Sequence, residues 1–255
     1  MKQARRVFGL HAAESALQQH GGVPILAAYF DAQRHDARLG RLAQALDAAG
    51  IATERVARAQ LDRMAGGGNH QGVVLELNLP VEQGEEELFE RLAAAKASPL
   101  LLVLDQVQDP HNLGACLRTA DASGCCGVVV PKDQAVGLTA TVAKVASGAA
   151  ETVPVYRVTN LARCLDRLKG AGLWIVGASG RAEKTLHSAE LTGPLAVVLG
   201  AEGRGLRRLT EQKCDFLVRI PMAGSVESLN VSVAAGVLLY EAVRQRSAQS
   251  SVSGK

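Results

Sequence analysis

The stretch LLLVLDQVQDPHNLGACLRTADASGCCGVVV, residues 100–130, sets the expected architecture of this 255-residue chain. Residues 100–104 form an unbroken apolar run of strand length, and residues 127–130 form a second one. Between them, apolar residues recur at helical spacing over residues 113–123. Because continuous apolar runs are typical of strands covered on both faces, this unit predicts an α/β fold with a mostly parallel sheet.

The alternation of strands and helices continues to the end of the chain. Further strands are expected at residues 153–158, 173–177, 195–199 and 216–220, and further helices at residues 138–146, 161–170 and 231–246. The last helix is apolar on nearly every side up to Tyr240, so it needs burial all round, which favours a subunit interface. The polar tail, residues 247–255, is expected to fray.

The first 80 residues predict a separate, small α/β domain. A strand is expected at residues 24–30, and a helix with three regularly spaced leucines ends near Gly50, a C-cap. Residues 73–79 alternate between apolar and polar, the period of a half-buried strand. The expected domains are residues 1–80, an acidic linker with a short helix at 81–98, a second domain at 99–246 and a flexible tail at 247–255.

Composition excludes several classes of protein. No apolar run approaches the 18 residues of a membrane span, and the amino terminus lacks the apolar segment of a secretory signal. The five cysteines are odd in number and lack C-x-x-C spacing, and the six histidines form no metal pattern, which predicts a cytoplasmic protein without a metal. A net charge of +3 is compatible with binding to nucleic acid. Because the chain has eight aromatic residues, contacts with phosphate should contribute more to the affinity of such binding than base stacking.

Three turns rich in glycine or asparagine follow strands, where open α/β sheets usually bind ligands. They are PHNLGACLRTA at residues 110–120, LGAEGRGL at 199–206 and IPMAGSVESLNVSVA at 220–234. Asn112 is expected at the N-cap of a helix, and Arg118 lies off the apolar face of that helix. Taken alone, each motif has a simpler interpretation, in which Asn112, Ser228 and Asn230 are helix caps and Arg118 and Glu202 are solvated.

Taken together, the three motifs resemble those of the SpoU branch of the SPOUT RNA methyltransferases over residues 99–246. The segments FGLHAAESAL (residues 8–17) and GGGNHQGVV (66–74) resemble the ribosomal-protein-like substrate-binding domain found in family members that methylate a guanosine of 23S rRNA. The resemblance implies transfer of methyl from S-adenosylmethionine to a ribose 2′-hydroxyl. It also implies a C-terminal trefoil knot and a homodimer formed through the C-terminal domain.

The resemblance further implies roles for individual residues. Those placed against the cofactor are Gly200, Ile220 and Leu229. Glycine is expected at position 200 because a Cβ there could block a close approach. Arg118 is implied at the reacting hydroxyl, where a guanidinium that stays protonated would stabilise negative charge. Glu202 would orient Arg118 or assist proton removal, and the groups positioning RNA and loops would be Asn112, Ser228 and Asn230.

Other functions remain open at this point. The same chemistry could act on a transfer RNA nucleotide, and the fold could serve a non-catalytic RNA-binding factor in ribosome assembly. A nucleotide-dependent oxidoreductase is disfavoured, since the chain has no G-x-G-x-x-G fingerprint. Catalysis by His70 is a further alternative, which the motifs disfavour because they place the chemistry elsewhere.

Overall fold

A computed structural model describes residues 3–18, 24–34, 36–79, 81–95 and 97–252. The chain divides into two compact units. One unit comprises Met1–Val81 and Thr139–Lys144, and the other comprises Glu82–Leu138 and Val145–Lys255. The division after Val81 falls next to the boundary expected at residue 80, and the segment expected as a linker lies in the second unit.

The first unit is built on a four-stranded sheet. Its elements are β1 (Gln3–Phe8), α1 (Leu10–Gln18), β2 (Ile25–Asp31), α2 (Ala37–Ala48), β3 (Thr53–Val56), α3 (Arg58–Met64) and β4 (Val73–Leu79). The strand order is β1-β4-β2-β3, with β4 antiparallel to β1 and β2, and β3 parallel to β2. Helix α2 begins at Asp36, whose carboxylate accepts the N–H groups of Arg38 and Leu39, and it buries the predicted leucine face.

The second unit alternates strands and helices, as the apolar runs predict. Its elements are α4 (Glu85–Ala93), β5 (Leu100–Asp105), α5 (Pro110–Ala122), β6 (Gly127–Pro131), α6 (Ala140–Ala146), α7 (Ala149–Thr152), β7 (Val155–Val158), α8 (Leu161–Gly170), β8 (Trp174–Ala178), β9 (Leu195–Gly200), α9 (Arg208–Lys213), β10 (Phe216–Val218) and α10 (Val231–Val252). Helix α6 is the exception, because its residues 140–144 group with the first unit and only its last two residues group with the second.

The six strands of the second unit form one sheet in the order β10-β8-β9-β5-β6-β7. Every pairing between neighbours is parallel, which confirms the predicted parallel sheet. All six residues of β5 are buried, as expected for a central strand covered on both faces. In register, Asp105 at the end of β5 lies opposite Gly200 at the end of β9, so the loops after these strands leave the same sheet edge.

The last helix differs from its prediction at its carboxyl end. The tail expected to fray from residue 247 is helical to Val252, and residues 253–255 lie outside the described residues. Arg246 accounts for the continuation, because its guanidinium donates to the carbonyls of Ser98, Pro99 and Gly193 and so anchors this part of the helix. Within the described residues, no helix is both long enough and apolar enough to cross a membrane.

Candidate active site

The candidate residues lie on the loops and helix beginnings that follow the carboxyl ends of β5, β9 and β10. Helix α5 begins earlier than predicted, because Asp109 is its N-cap and accepts the N–H of His111 at 2.9 Å. Pro110 occupies the first helical position, where its missing N–H costs nothing. The prediction of Asn112 as the N-cap is therefore wrong. Its side chain, in the first turn, hydrogen bonds outside the helix instead.

The amide of Asn230 joins all three motifs. Its Nδ2 donates to Oδ1 of Asn112 at 2.9 Å and to Oε2 of Glu202 at 3.2 Å. Its own Oδ1 accepts the backbone N–H of Ser232 at 3.0 Å, so Asn230 also caps α10. The capping interpretation and the functional one are thus compatible, because the oxygen caps the helix and the amide nitrogen holds the other two loops.

A cleft of about 350 Å³ opens beside this contact. Its lining residues are Gln106, Val107, Gln108, Asp109, Asn112, Ala201, Glu202, Arg204 and Val231. The volume lies in the range of small-ligand sites, and most of the lining side chains are hydrogen-bonding groups. Because two carboxylates face one guanidinium, the cleft suits an uncharged polar group, such as a sugar with its hydroxyls, better than a phosphate.

Residues 201–207, here called the glycine loop, carry Glu202. A Cβ added to Gly200 would lie 2.0 Å from the carbonyl carbon and oxygen of Gly205, so the chain folds back directly over Gly200. The N–H of Gly205 donates to the carbonyl of Ala201 at 2.8 Å, and this hydrogen bond closes the base of the glycine loop. Position 200 therefore requires glycine because of the protein's own backbone, whereas the sequence predicted a ligand as the reason.

Two further residues expected at the cofactor flank an exposed segment. Ile220 and Leu229 are half-buried, and the intervening residues 221–228 are all exposed. Ser228 lies within this exposed segment and is absent from the lining of the cleft.

Arg118 is not brought into the cleft by the fold of one chain. It is exposed on α5, six positions after Asn112 and therefore about 120° around the helix from it. Asp121, three positions after Arg118 on α5, accepts a hydrogen bond from Thr152 at 2.5 Å.

His70, in the first unit, has a structural environment. It is 4% exposed, its Nδ1 accepts the N–H of Gly72 at 3.0 Å, and its Nε2 lies 3.0 Å from a carboxylate oxygen of Asp62. This pattern fixes the proton on Nε2 and ties the turn at residues 70–72 to α3. Both ring nitrogens are thus engaged within the fold.

The cysteines and acidic clusters show no alternative centre. All five cysteines are free, and burial raises the pKa of both Cys116 and Cys164 to about 12, which keeps them as thiols. In the described part of the chain, no group of three or more His, Cys, Asp or Glu side chains could hold a metal ion.

Sequence reasoning missed Asp105 and Arg207. Asp105 ends the apolar run of β5 and is fully buried, and Arg207 ends the glycine loop. Nη2 of Arg207 lies 2.6 Å from Oδ1 of Asp105, and the backbone N–H of Arg207 donates to Oδ2 at 3.1 Å. A carboxylate closing an otherwise apolar strand is a signal for Asp105, whereas nothing in the local sequence marks Arg207.

Comparisons with known proteins identify two families that match this chain. The SpoU rRNA Methylase family matches residues 99–240, and a family described as RNA 2′-O ribose methyltransferase substrate binding matches residues 6–82. The protein named 23S rRNA (guanosine-2′-O-)-methyltransferase RlmB from Vibrio vulnificus is 51% identical over 240 residues, which are 94% of this chain and 96% of that protein. The protein of the same name from Pseudomonas aeruginosa is 51% identical over 246 residues, 96% and 98% of the two chains.

Solved structures show the same likeness. The SpoU methyltransferase AviRb from Streptomyces viridochromogenes, solved in complex with the cofactor AdoMet, is 26% identical, with a TM-score of 0.62 over 95% of this chain and 90% of that one. A structure described as an RNA 2′-O ribose methyltransferase is 29% identical, with a TM-score of 0.59 over 95% and 89% of the two chains. On the match to more than half of its length and on relatives about half identical along nearly all of it, the chain belongs to the SpoU rRNA methylase family.

Proposed function

We propose that this protein transfers the methyl group of S-adenosylmethionine to the ribose 2′-oxygen of a guanosine in 23S rRNA. The observation that carries the proposal is the shared amide of Asn230, which joins Asn112 and Glu202 at a polar cleft. The relatives named for this reaction support the choice of nucleoside and RNA. Because 23S rRNA is made and assembled in the bacterial cytoplasm, the reaction belongs there.

The cleft would hold the target ribose. Its amides and carboxylates offer acceptors and donors to sugar hydroxyls, and a correctly aligned hydroxyl can account for roughly 7–11 kcal/mol of barrier reduction. Glu202 is the carboxylate that Asn230 holds in place, so we assign it to orient the hydroxyl or accept its proton. Asn112 and Asn230 keep the loops in register, and exposed Ser228 is assigned to the RNA.

Arg118 would act as a cation rather than a base. A guanidinium remains protonated across the usable pH range, so it can stabilise negative charge developing on the oxygen or bind the adjacent phosphate. Its exposed position on α5 leaves it accessible to RNA and to a second copy of the chain.

The loops around the cleft fit a bound S-adenosylmethionine. We assign Gly200, Ile220 and Leu229 to it, because the half-buried side chains at 220 and 229 flank a loop that exposes the apolar side chains of Met222 and Val226. Exposed apolar side chains on such a loop suit contact with the flat face of a purine. When bound, the cofactor supplies an electrophilic methyl carbon, and this chain's part is to orient the hydroxyl and accept its proton.

The remaining expectations complete the proposal. A homodimer through the C-terminal helix is supported by Val233, Val237 and Tyr240, which are exposed apolar side chains on α10. A trefoil knot in the second unit is part of the proposal because residues 99–240 match the SpoU rRNA Methylase family. The first unit, which matches the substrate-binding family, is proposed as the ribosomal-protein-like selector of the RNA.

The test is transfer of label from methyl-tritiated S-adenosylmethionine to unmodified 23S rRNA. We expect incorporation at one guanosine, located by the resistance of its 3′ linkage to alkaline cleavage. The Glu202→Ala protein, prepared in parallel, should incorporate far less. Label in a transfer RNA instead of 23S rRNA would show that the substrate is a transfer RNA. RNA binding without incorporation into any RNA would favour a non-catalytic assembly factor.

A further inference from the structure

The glycine loop is held at both ends, and Glu202 lies between the two attachments. At the start of the loop, the missing Cβ of Gly200 lets the chain fold back, and the hydrogen bond between Ala201 and Gly205 closes the base of the loop. This is the first attachment. Glu202 itself is exposed and is linked to Asn230 by a 3.2 Å bond. Its position therefore depends on how firmly the loop is attached.

The second attachment is the pair formed by Asp105 and Arg207. Oδ1 of Asp105 lies 2.6 Å from the guanidinium in an ion pair without hydrogen-bond geometry, and Oδ2 accepts the backbone N–H of Arg207 at 3.1 Å. Asp105 lies on β5 opposite Gly200, so the exit of the loop is fastened to the strand beside its own entry. The two attachments together enclose seven residues, which leaves the loop few alternative conformations.

The burial of Asp105 makes this attachment strong. Its side chain is 0% exposed while that of Arg207 is 40% exposed, so the pair consists of a buried anion and a surface cation. A carboxylate that loses its cation in such a place remains desolvated and uncompensated, which is a large penalty. Separating Arg207 from Asp105, as lifting of the loop from β5 would do, therefore costs free energy.

From this geometry we infer that Asp105 and Arg207 are positioning residues, which set Glu202 against Asn230 without touching the RNA. The inference rests on the proposed function for its catalytic meaning. Asp105, at the carboxyl end of β5, thus has a part in the reaction that the apolar residues of the same strand do not have. A displacement of about 1 Å in a catalytic group can cost 10²-fold in rate, so a loosened loop has a measurable effect.

The kinetic test compares Arg207→Ala with Arg208→Ala, its neighbour, which is also exposed. In single-turnover methylation at saturating RNA and cofactor, we expect Arg207→Ala to lower the rate about tenfold. Arg208→Ala should leave the rate within about twofold of the wild type. Arg207→Lys should recover most of the rate, because it keeps a cation beside the buried carboxylate of Asp105, whereas the backbone bond is common to all three proteins. A rate for Arg207→Ala equal to that of Arg208→Ala overturns the inference.

A double variant separates positioning from general destabilisation. If Arg207 acts through Glu202, then adding Arg207→Ala to Glu202→Ala should lower the residual rate by less than about twofold. A further tenfold loss in the double variant shows that Arg207 acts independently of Glu202, and the inference fails.

Amide hydrogen exchange provides a readout that needs no activity. The N–H groups of Gly205 and Arg207 should exchange faster in Arg207→Ala and Asp105→Asn than in the wild type, and at wild-type rates in Arg208→Ala. Unchanged exchange in both variants overturns the inference even if the enzyme is active. Faster exchange in a protein that methylates no RNA would instead leave the attachment established and reject the proposed function.

Discussion

Asn230 donates its side-chain amide to Oδ1 of Asn112 at 2.9 Å, although 118 residues separate the two along the chain. The same nitrogen donates to Glu202, so one amide group fixes the relative positions of three loops. The helix cap and this junction use different atoms of Asn230. A substitution can therefore remove one role and keep the other.

Replacing Asn230 with aspartate should abolish the junction while preserving the cap. The new carboxylate would face the acceptor of Asn112 and the charge of Glu202, but aspartate caps helices as well as asparagine does. We expect kcat to fall about 100-fold, the usual cost of losing one positioned donor at an active site. The melting temperature should stay within about 2 °C of the wild type.

Asn230→Ala is the matched comparison, because it removes both roles. Its kcat should fall similarly, and loss of the cap should destabilise the protein by about 1 kcal/mol, or roughly 2–4 °C in melting temperature. Steady-state methylation and calorimetry measure the two effects. Near wild-type turnover by Asn230→Asp would show that the shared amide has no part in catalysis.

Gly200→Ala should disrupt the glycine loop. The added Cβ meets backbone atoms of Gly205 at 2.0 Å, and no side-chain rotation can relieve a contact with backbone. We expect a loss of about 1–3 kcal/mol in the free energy of unfolding and a large fall in kcat, since Glu202 must move with the loop. Gly180→Ala is the control, because its exposed position has no atom within 4 Å of the added Cβ. Equal stability and activity of the two variants would contradict the structure of this loop.

His70→Ala should affect stability and leave turnover intact. The buried N–H of Gly72 would lose its acceptor, which costs about 1–3 kcal/mol, while the candidate catalytic groups all lie in the second unit. Thermal unfolding and kcat at saturating RNA measure the two effects, with exposed His11→Ala as control. A 100-fold fall in kcat at unchanged stability would restore the alternative that His70 is catalytic.

The strands differ in how clearly the sequence predicts them. The buried strands β5, β6 and β9 were predictable because each contains an unbroken apolar run, mostly of Leu and Val, which is typical of a covered sheet. Strands β1 and β3 carry charged residues and gave no such signal, since they are paired through tertiary context rather than apolar pattern.

The candidate site shows the same limit. Residue type and spacing singled out Asn112, Glu202 and Asn230, but their hydrogen bonds depend on loops that meet only in the folded sheet. The pairing of Asp105 with Arg207 spans 102 residues and leaves no local trace. Helical spacing puts Arg118 off the apolar face of α5, where the structure finds it exposed, but its distance from the cleft depends on how α5 packs in the folded sheet.

Mixing of subunits should reveal how Arg118 reaches the reacting group. In one chain it lies outside the cleft, so we expect it to act across the proposed dimer interface. Arg118→Ala and Glu202→Ala, each with little activity alone, should then regain about half of wild-type activity in isolated mixed dimers, because one of the two sites in each such dimer is intact. Differently tagged copies purified in tandem make the measurement. No recovery in verified mixed dimers would place Arg118 in the site of its own chain.

Glu241 should make the stability of the second unit depend on acid. Its carboxylate is 8% exposed and accepts two hydrogen bonds from Arg244 and one from Gln245, and these lower the pKa of Glu241 from 4.5 to about 2, Arg244 contributing most. Because the folded-state pKa is below the unfolded one, the stabilisation is fully present above about pH 4.5 and is lost as the pH falls through 2.

Urea unfolding from pH 7 to pH 2.5 should therefore show a difference in the free energy of unfolding between wild type and Glu241→Gln that becomes smaller as the pH falls. Glu183→Gln, an exposed carboxylate on the same unit, should follow the wild-type curve throughout, and a gap for Glu241→Gln that stays constant with pH would show that the carboxylate charge is not what stabilises this end of α10.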